Sequence, residues 1–278
     1  MTRERERLRL RLYGRCLRRF WGSALAAELE YPGNALVELI AVLGNLAGSL
    51  FVLSLLYGHG RDLGGWGWDA ALVVLGLYTL LDGVTSCLLQ PNLSRIVQHV
   101  QTGSLDFVLL KPIDSQFWLS TRQISPWGLP AIVVGTGLIG WGLAQATPSI
   151  VWSQPWVVGG RLLLGLCLLS AATAILYSLW FLLASLSIWF VKVWNATEVL
   201  RYTLVAGRYP VSAYPPGLRL VFTLVLPVAF LTTVPAEALL GRASPLWAAG
   251  SLAAAALSLC LSRAFWQHAL RHYTSASS

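Results

Sequence analysis

Residues 162–186 read LLLGLCLLSAATAILYSLWFLLASL, and this stretch contains no Asp, Glu, Lys or Arg. A helix of about 20 mostly apolar residues crosses the ~30 Å hydrocarbon layer of a membrane. An uncharged run of this length is longer than the apolar runs of soluble cores, so it predicts a transmembrane helix. The predicted span is Val157–Leu186, which includes Arg161 near its start.

Five further stretches have the length and composition of a membrane span. In chain order, the six predicted spans are Leu36–Tyr57, Trp68–Leu89, Trp118–Leu143, Val157–Leu186, Leu218–Val234 and Leu246–Leu261. The alternation of apolar and polar residues that marks a transmembrane strand is absent. The sequence therefore predicts an all-α polytopic membrane protein with six transmembrane helices.

The overall composition leads to the same fold class. Apolar residues make up 56% of the chain and charged residues 12%, whereas a soluble domain carries roughly 25% charged residues. So few charges do not cover a water-exposed surface, and much of this surface must face lipid. The net charge of +8 comes from basic residues beside apolar spans. Their predicted partner is therefore a membrane surface rather than nucleic acid.

The basic residues also predict the orientation, because connections rich in Lys and Arg stay in the cytoplasm. Eight arginines precede the first span. The other cation-rich segments follow span two (Arg95, Lys111 and Arg122), span four (Lys192, Arg201, Arg208 and Arg219) and span six (Arg263 and Arg271). The remaining connections carry only Arg61, Arg161 and Arg242. Six spans with both termini in the cytoplasm satisfy this alternation.

Residues 1–30 form a separate predicted element, a cytoplasmic basic amphipathic helix. Apolar side chains recur at helical spacing from Leu10 to Ala24, and arginines occupy the other faces. Such a helix lies in the headgroup layer with its apolar side down. The alternative is a flexible basic tail, which would not need Phe20 and Trp21. The transmembrane domain is then residues 31–278, with a long cytoplasmic connection at 91–117.

This long connection predicts a short amphipathic helix. Four apolar residues between Leu93 and Val100 follow the spacing i, i+3, i+4, i+7. Gly103 ends the helix, as a glycine commonly does at that position, and a second apolar stretch runs to Pro112. On the residues alone, the helix either lies on the membrane or presents its polar face to a partner protein.

The residues needed for nucleotide or metal chemistry are not in place. A phosphate loop needs a glycine-rich run that ends in Lys-Ser or Lys-Thr, but Pro112 follows Lys111 and Val193 follows Lys192. The four cysteines are far apart and show no metal-ligand spacing. We therefore predict a chain that is not an enzyme, holds no metal and binds no cofactor of its own.

Polar residues and prolines inside the spans are candidates for a transport role. Asn45, Asp82 and Thr85 are candidates for lining a substrate pathway, and packing is the alternative for each. Asp82 is the most informative, because a lone charge at the bilayer centre costs at least roughly 2.5 kcal/mol. Pro227 and Pro235 bracket the second half of span five, where they would kink the helix into a re-entrant turn. That turn is either an outer gate or a short loop.

Glycines at close spacing in two spans predict close helix packing. They are Gly44 and Gly48 in span one, and Gly135, Gly137, Gly140 and Gly142 in span three. Small residues let two helices approach closely in a membrane. We expect this packing within the chain rather than between two copies.

Two stretches give the sequence a family resemblance. Residues 101–114, QTGSLDFVLLKPID, look like the signature of ABC-2-type permeases. A second stretch, with GRYP at 207–210, YP at 214–215 and PVAF at 227–230, resembles the same subgroup. The likeness runs from the basic N-terminal helix to span six. These permeases are the membrane subunits of ABC exporters, whose nucleotide-binding subunit is a separate polypeptide.

The resemblance implies that the loop after span two is the coupling helix, seated in a cleft of the ABC ATPase. It assigns ATPase contact to Arg95, Gln98, Gln101, Gly103, Asp106, Leu109, Lys111 and Pro112. ATP and Mg²⁺ would then bind to the ATPase. The resemblance also implies a second permease chain, identical or paralogous, and a location in the bacterial plasma (inner) membrane.

The leading prediction is a permease subunit of an ATP-driven exporter that forms the pathway as a dimer. The first alternative is an ion-gradient-driven transporter or channel that works alone. It would need several intramembrane ionisable residues, and only Asp82 partly qualifies. The second alternative is a non-transporting membrane scaffold, which would have no ATPase partner and would tolerate changes at Asp82.

Overall fold

The protein is described here by a computed structural model of residues 2–30, 33–58, 63–146, 155–190, 200, 202 and 204–274. Its helices are α1 (Thr2–Glu28), α2 (Gly33–Gly58), α3 (Trp68–Val84), α4 (Gln90–Gln101), α5 (Leu105–Leu109), α6 (Ser115–Thr121), α7 (Leu129–Ala146), α8 (Pro155–Ser185), α9 (Pro216–Leu220), α10 (Val234–Leu239) and α11 (Pro245–His272). Within these residues the only strand-like pairing is an isolated bridge between Leu63 and Trp66.

Five helical segments of the described chain are long and apolar enough to cross a membrane. They are Leu36–Gly58, Trp68–Gln101, Pro126–Ala146, Pro155–Ile188 and Pro245–His272. The prediction of an all-α polytopic membrane protein is confirmed. A sixth candidate is a bent pair of helices, Pro216–Val225 and Ala229–Leu239.

The predicted third span began too early. Trp118 belongs to the short helix α6, and the membrane-length segment begins only at Pro126. Ser125 is extended (φ −115°, ψ 126°), because a proline disfavours helical backbone at the residue before it. The break separates α6 from the span.

Contacts between helices assign the helix ends to two faces. On one face α6 touches the first and last helices: the Trp21 indole N–H donates to the Thr121 carbonyl over 3.1 Å, and Arg263 pairs with Asp114 at the start of α6. We call this the α6 face. On the opposite face, Trp66 and Leu240 pack together. The ends of α1 and α11 therefore share a face.

The predicted fifth span, Leu218–Val234, is not a straight helix. The helix axis bends by 77° between its two arms, Pro216–Val225 and Ala229–Leu239. Leu226 at the bend is extended (φ −114°, ψ 92°) because Pro227 follows it. The kink predicted from the prolines is therefore present.

Both ends of this bent pair lie on the opposite face. Before the pair, the backbone of Ser212 lies so close to Gly64 that a Cβ there would be 2.6 Å from the Ser212 carbonyl oxygen. After the pair, Leu240 packs near Trp66. Both arms therefore enter from the opposite face, and the pair is re-entrant.

This path corrects the predicted position of two arginines. Arg219 lies in the first re-entrant arm, close enough to Glu237 in the second arm for their charges to interact. It therefore belongs to the opposite face rather than to the cytoplasmic cations. Arg208 lies between the two faces and is described with the site below. Lys192 and Arg201, the other predicted cations of this connection, fall outside the described residues.

Helices α3 and α7 pack at very short distance through glycines spaced seven residues apart. The participating residues are Gly76 and Gly83 on α3, and Gly128, Gly135 and Gly142 on or just before α7. A Cβ on Gly135 would lie 2.5 Å from the Leu80 amide nitrogen. The predicted internal packing is thus correct for Gly135 and Gly142. It is wrong for Gly44, Gly48, Gly137 and Gly140, which have no neighbouring atom within 4 Å of an added Cβ.

Residues 2–28 form a helix rather than a flexible tail. The ring of Tyr13 meets that of Phe117 edge-to-face with centroids 4.6 Å apart. The Trp127 indole donates to the Glu28 carboxylate over 2.5 Å. The helix therefore packs on the α6 face of the protein. Its place in the headgroup layer, and the domain boundary at residue 30, stay predictions.

Candidate functional site

Helix α4 is a continuation of α3 rather than a separate helix that starts after Pro91. Pro91 has no N–H to donate to the carbonyl of Cys87 four residues earlier. The backbone N–H of Ser125 donates to that carbonyl instead, over 3.0 Å. Residues Thr85–Leu89 form a π-helical turn that connects α3 to α4. Residues Trp68–Gln101 therefore form one helical segment of 34 residues.

The length of this segment places α4 beyond the hydrocarbon. At 1.5 Å per residue the segment is roughly 50 Å long, against ~30 Å of hydrocarbon. Leu93, Ile96 and Val97 are buried in the main core with α8, while Arg95 and Gln98 are exposed. The apolar side of α4 thus packs on the protein, and the alternative of a helix lying on the membrane is wrong.

A tight turn at Gly103 connects α4 to α5. Gly103 has φ +70°, a left-handed conformation that costs other residues about 1–2 kcal/mol. Hydroxyl groups brace the turn: Ser104 Oγ lies 2.8 Å from His99 Nδ1 and 2.9 Å from Thr102 Oγ1. The predicted end of the helix at Gly103 is therefore correct.

Helix α5 presents an apolar tip. Leu105 and Val108 are buried, so residues on the other side of this short helix point outward. Phe107 is 70% exposed and Leu110 is 81% exposed. Sequence reasoning did not select either residue, because the spacing of Leu105 and Val108 identifies the buried side only once α5 is known to pack on the core. Of the predicted coupling residues, Gln101, Leu109, Lys111 and Pro112 are exposed around the same tip.

Three predicted coupling residues lie elsewhere. Arg95 and Gln98 line a cavity between α4 and α6 rather than the tip. Asp106 lies near the Tyr273 hydroxyl; burial and this carboxylate raise the pKa of Tyr273. Asp106 therefore faces the C-terminal end of the protein.

Asp114 joins the loop to the last helix, and sequence reasoning did not select it. Its Oδ1 accepts the Phe117 backbone N–H over 2.9 Å, which caps α6. Arg263 donates to both carboxylate oxygens, at 3.0 and 2.5 Å. Burial alone would raise the pKa of Asp114, but the bonds from Arg263 and Phe117 outweigh it and hold the pKa below its ordinary value. The carboxylate is therefore ionised at neutral pH.

The predicted pathway residues come together around Asp82. Asn45 and Asp82 line one small cavity with Tyr78 and Arg208. Asp82 and Thr85 line a second one with Thr232 and Gly207. Each is about 20 Å³, room for one water molecule. The Thr85 hydroxyl donates to the Leu81 carbonyl of its own helix over 2.7 Å.

Arg208 is the residue of this cluster that the sequence placed wrongly. Its Nη2 donates to the Asn45 side-chain oxygen over 2.7 Å, and its guanidinium lies 5.1 Å from the Tyr78 ring centre. The re-entrant bend is close by, since an added Cβ on Gly207 would contact Val228 and Thr232. Pro227 therefore lies near the polar cluster, while Pro235 is buried in the second arm. Their role as an outer gate stays a prediction.

The family comparison agrees with this architecture. Residues 43–277 match the family described as "ABC-2 family transporter protein". The chain belongs to this family. The match begins inside α2 and covers both the α4–α6 loop and the Asp82 cluster of this ABC-2 protein. No curated protein matches it significantly.

Membership establishes that the chain is a membrane transport component. ABC-2 permeases generally work with ABC ATPase partners. Within the described residues of this ABC-2 protein, no three His, Cys, Asp or Glu side chains form a group that would hold a metal ion.

Proposed function

We propose that this ABC-2 protein is the permease subunit of an ATP-driven exporter in the bacterial inner membrane. A separate ABC ATPase, carrying ATP and Mg²⁺, docks on the α6 face in the cytoplasm. A second permease chain, identical or paralogous, completes the pathway. The proposal rests on one observation: the helical segment Trp68–Gln101 continues beyond the hydrocarbon and holds the exposed apolar tip of α5 there.

The tip has the chemistry of a protein-docking surface. Phe107 and Leu110 are the most exposed apolar side chains of the α4–α6 loop. Because α4 carries them beyond the hydrocarbon, lipid does not cover them. Exposed apolar groups with a polar rim mark protein interaction sites, and here Gln101 and Lys111 supply the rim.

The tip is connected to the membrane interior by one helical segment. Asp82 and Thr85 lie near the middle of the segment Trp68–Gln101, and the Gly103 turn follows its end. Leu105 and Val108 anchor α5 in the main core. A displacement of the tip by the ATPase would therefore move the helix that lines both small cavities.

The second permease would pack against α2. This helix is mostly exposed, and Gly44 and Gly48 leave room for a close approach. Asn45 lies between these glycines and reaches Arg208 and the cavity that Asp82 also lines. We place the pathway here, with Asn45, Asp82 and Thr85 along it and Pro227 and Pro235 in its re-entrant gate.

The docking proposal predicts that Leu110→Asp weakens ATPase binding. A carboxylate at an apolar interface removes burial and adds a desolvation cost, so we expect the ATPase that co-purifies with the permease to fall at least about tenfold, a loss of ~1.4 kcal/mol. Leu110→Met keeps an apolar side chain and should retain the complex. Co-purification at unchanged level with Leu110→Asp, or transport by the permease without an ATPase, would show the proposal to be wrong.

The pathway proposal predicts that water reaches Asn45 during turnover. In a variant without native cysteines, Asn45→Cys is expected to react with a water-soluble maleimide several-fold faster when the ATPase hydrolyses ATP. Gly137→Cys, on the uncovered side of α7, should stay unreactive in both states. A labelling rate at Asn45→Cys that does not respond to ATP would place the pathway elsewhere.

A further inference from the structure

A basic cavity of ≈330 Å³ lies between α4 and α6. Arg95 and Arg122 line it, together with Trp118, and no lining residue is acidic. The Arg122 guanidinium lies 4.8 Å from the Trp118 ring centre and 5.7 Å from that of Phe20 on α1. Neither arginine pairs with a carboxylate in the described part of the chain. The cavity therefore has a positive charge without an internal counter-charge.

A second cavity of ≈440 Å³ lies beside the first, beneath α1. Its apolar wall contains Trp21, Leu88, Leu89 and Phe117. Its single carboxylate, Asp114, is already paired with Arg263. This cavity therefore fits an apolar group.

The two cavities share a wall formed by Asn92 and Gln123. The buried Asn92 amide donates to the carbonyls of Leu88 and Gln123, over 2.7 and 2.8 Å, and accepts the Gln123 backbone N–H over 2.8 Å. These bonds hold α4 against the segment before α7. A ligand that fills both cavities would pass over this shared wall of Asn92 and Gln123, where a polar linker fits.

The depth of the shared wall matches the headgroup layer. Asn92 follows Trp68, at the opposite face, by 24 residues of helix, which is roughly 36 Å against ~30 Å of hydrocarbon. Arg95 lies one turn further out. The apolar cavity is thus level with the hydrocarbon boundary, and the basic cavity is level with the lipid phosphates.

We propose that the two cavities together bind one anionic phospholipid from the leaflet on the α6 face. The phosphate lies between Arg95 and Arg122, the glycerol ester groups cross the Asn92–Gln123 wall, and an acyl chain lies against Trp21, Leu88 and Phe117. Basic pockets at this depth bind anionic headgroups. An acidic protein segment would neutralise the arginines but would leave the apolar cavity empty, whereas a lipid fills both. The bound lipid would join α1 to the extension that carries the tip.

The test is retention of phosphatidylglycerol by the full chain. The protein is purified from nanodiscs of mixed phosphatidylglycerol and phosphatidylcholine, and retained lipid is measured by native mass spectrometry. Arg95→Gln with Arg122→Gln is expected to lower retained phosphatidylglycerol at least about tenfold, because each arginine attracts the anionic headgroup. The matched control, Arg242→Gln with Arg271→Gln, removes the same charge outside the cavity and should retain the lipid.

Thermal unfolding separates lipid binding from a folding defect. Phosphatidylglycerol should raise the melting temperature of the wild type above its value in phosphatidylcholine, and the cavity variant should lose this difference while its value in phosphatidylcholine is unchanged. Equal retention of both lipids would overturn the proposal. An equal stabilisation by inorganic phosphate in detergent would also overturn it, since the apolar cavity would then have no part.

The result also distinguishes this site from the ATPase-docking site. The lipid proposal does not require an ATPase, so failure of the Leu110→Asp prediction would leave the lipid result standing. If the cavity variant loses the ATPase but keeps its phosphatidylglycerol, the cavity is a protein contact and the lipid proposal is wrong.

Discussion

Gly135→Ala is expected to lower the melting temperature of the protein by several degrees and to reduce its yield in the membrane. An alanine Cβ would lie 2.5 Å from the Leu80 amide nitrogen and 2.7 Å from the Gly76 carbonyl oxygen. Both are backbone atoms of α3, so no side-chain rotation relieves the contact. Overpacking of this kind costs about 1–3 kcal/mol. Thermal unfolding in detergent measures the effect.

Gly137→Ala, two residues further along the same helix, is the matched control. An added Cβ there meets no atom within 4 Å, and alanine is favoured over glycine in a helix by about 0.5–1 kcal/mol. We expect an unchanged or slightly raised melting temperature. If the two variants lose stability equally, the close approach of α3 and α7 does not stabilise the fold.

Gly103→Ala is expected to weaken ATPase docking and to lower substrate-stimulated ATP hydrolysis while the membrane domain remains folded. The backbone at Gly103 has φ +70°, and a Cβ there costs about 1–2 kcal/mol. Relaxation of the turn would shift α5, which carries Phe107 and Leu110. Loss of ~1.4 kcal/mol of docking free energy corresponds to tenfold weaker binding. Substrate-stimulated ATP hydrolysis by the reconstituted complex should therefore fall by at least about tenfold.

Gly65→Ala is the control for backbone strain. Gly65 also has positive φ, +85°, and an added Cβ there meets no atom within 4 Å. It lies in the connection on the opposite face, far from the tip. Both variants should lose a similar amount of stability, but only Gly103→Ala should weaken ATPase docking. Equal loss of docking would mean that general strain, rather than the shape of the tip, causes the effect.

The sequence predicted the loop better than the site within it. Gly103 and Pro112 were expected to shape the loop, and the turn at Gly103 is present. However, Phe107 and Leu110 were read as part of a single apolar stretch. Leu105 and Val108 are identified as the buried side of α5 only once this helix is known to pack on the core. Phe107 and Leu110 are then identified as the exposed side.

Prediction failed most clearly along residues 204–240. Arg208 and Arg219 were counted as cytoplasmic because Leu218–Val234 has the composition of a span. A re-entrant pair has the same composition, since its second arm is buried in the protein and its first arm exposes apolar side chains. Only the contacts of Ser212 with Gly64 and of Arg208 with Asn45 reveal the path.

The sequence by itself determined that this is an all-α membrane protein. Transfer from water to lipid depends on composition over a window of about 20 residues, and composition can be read without a structure. The tertiary structure alone decided which glycines pack, which face the bent pair enters, and that Asn45, Asp82 and Arg208 share one site. These outcomes depend on which helices touch, and helices in lipid are equally apolar on packed and unpacked sides.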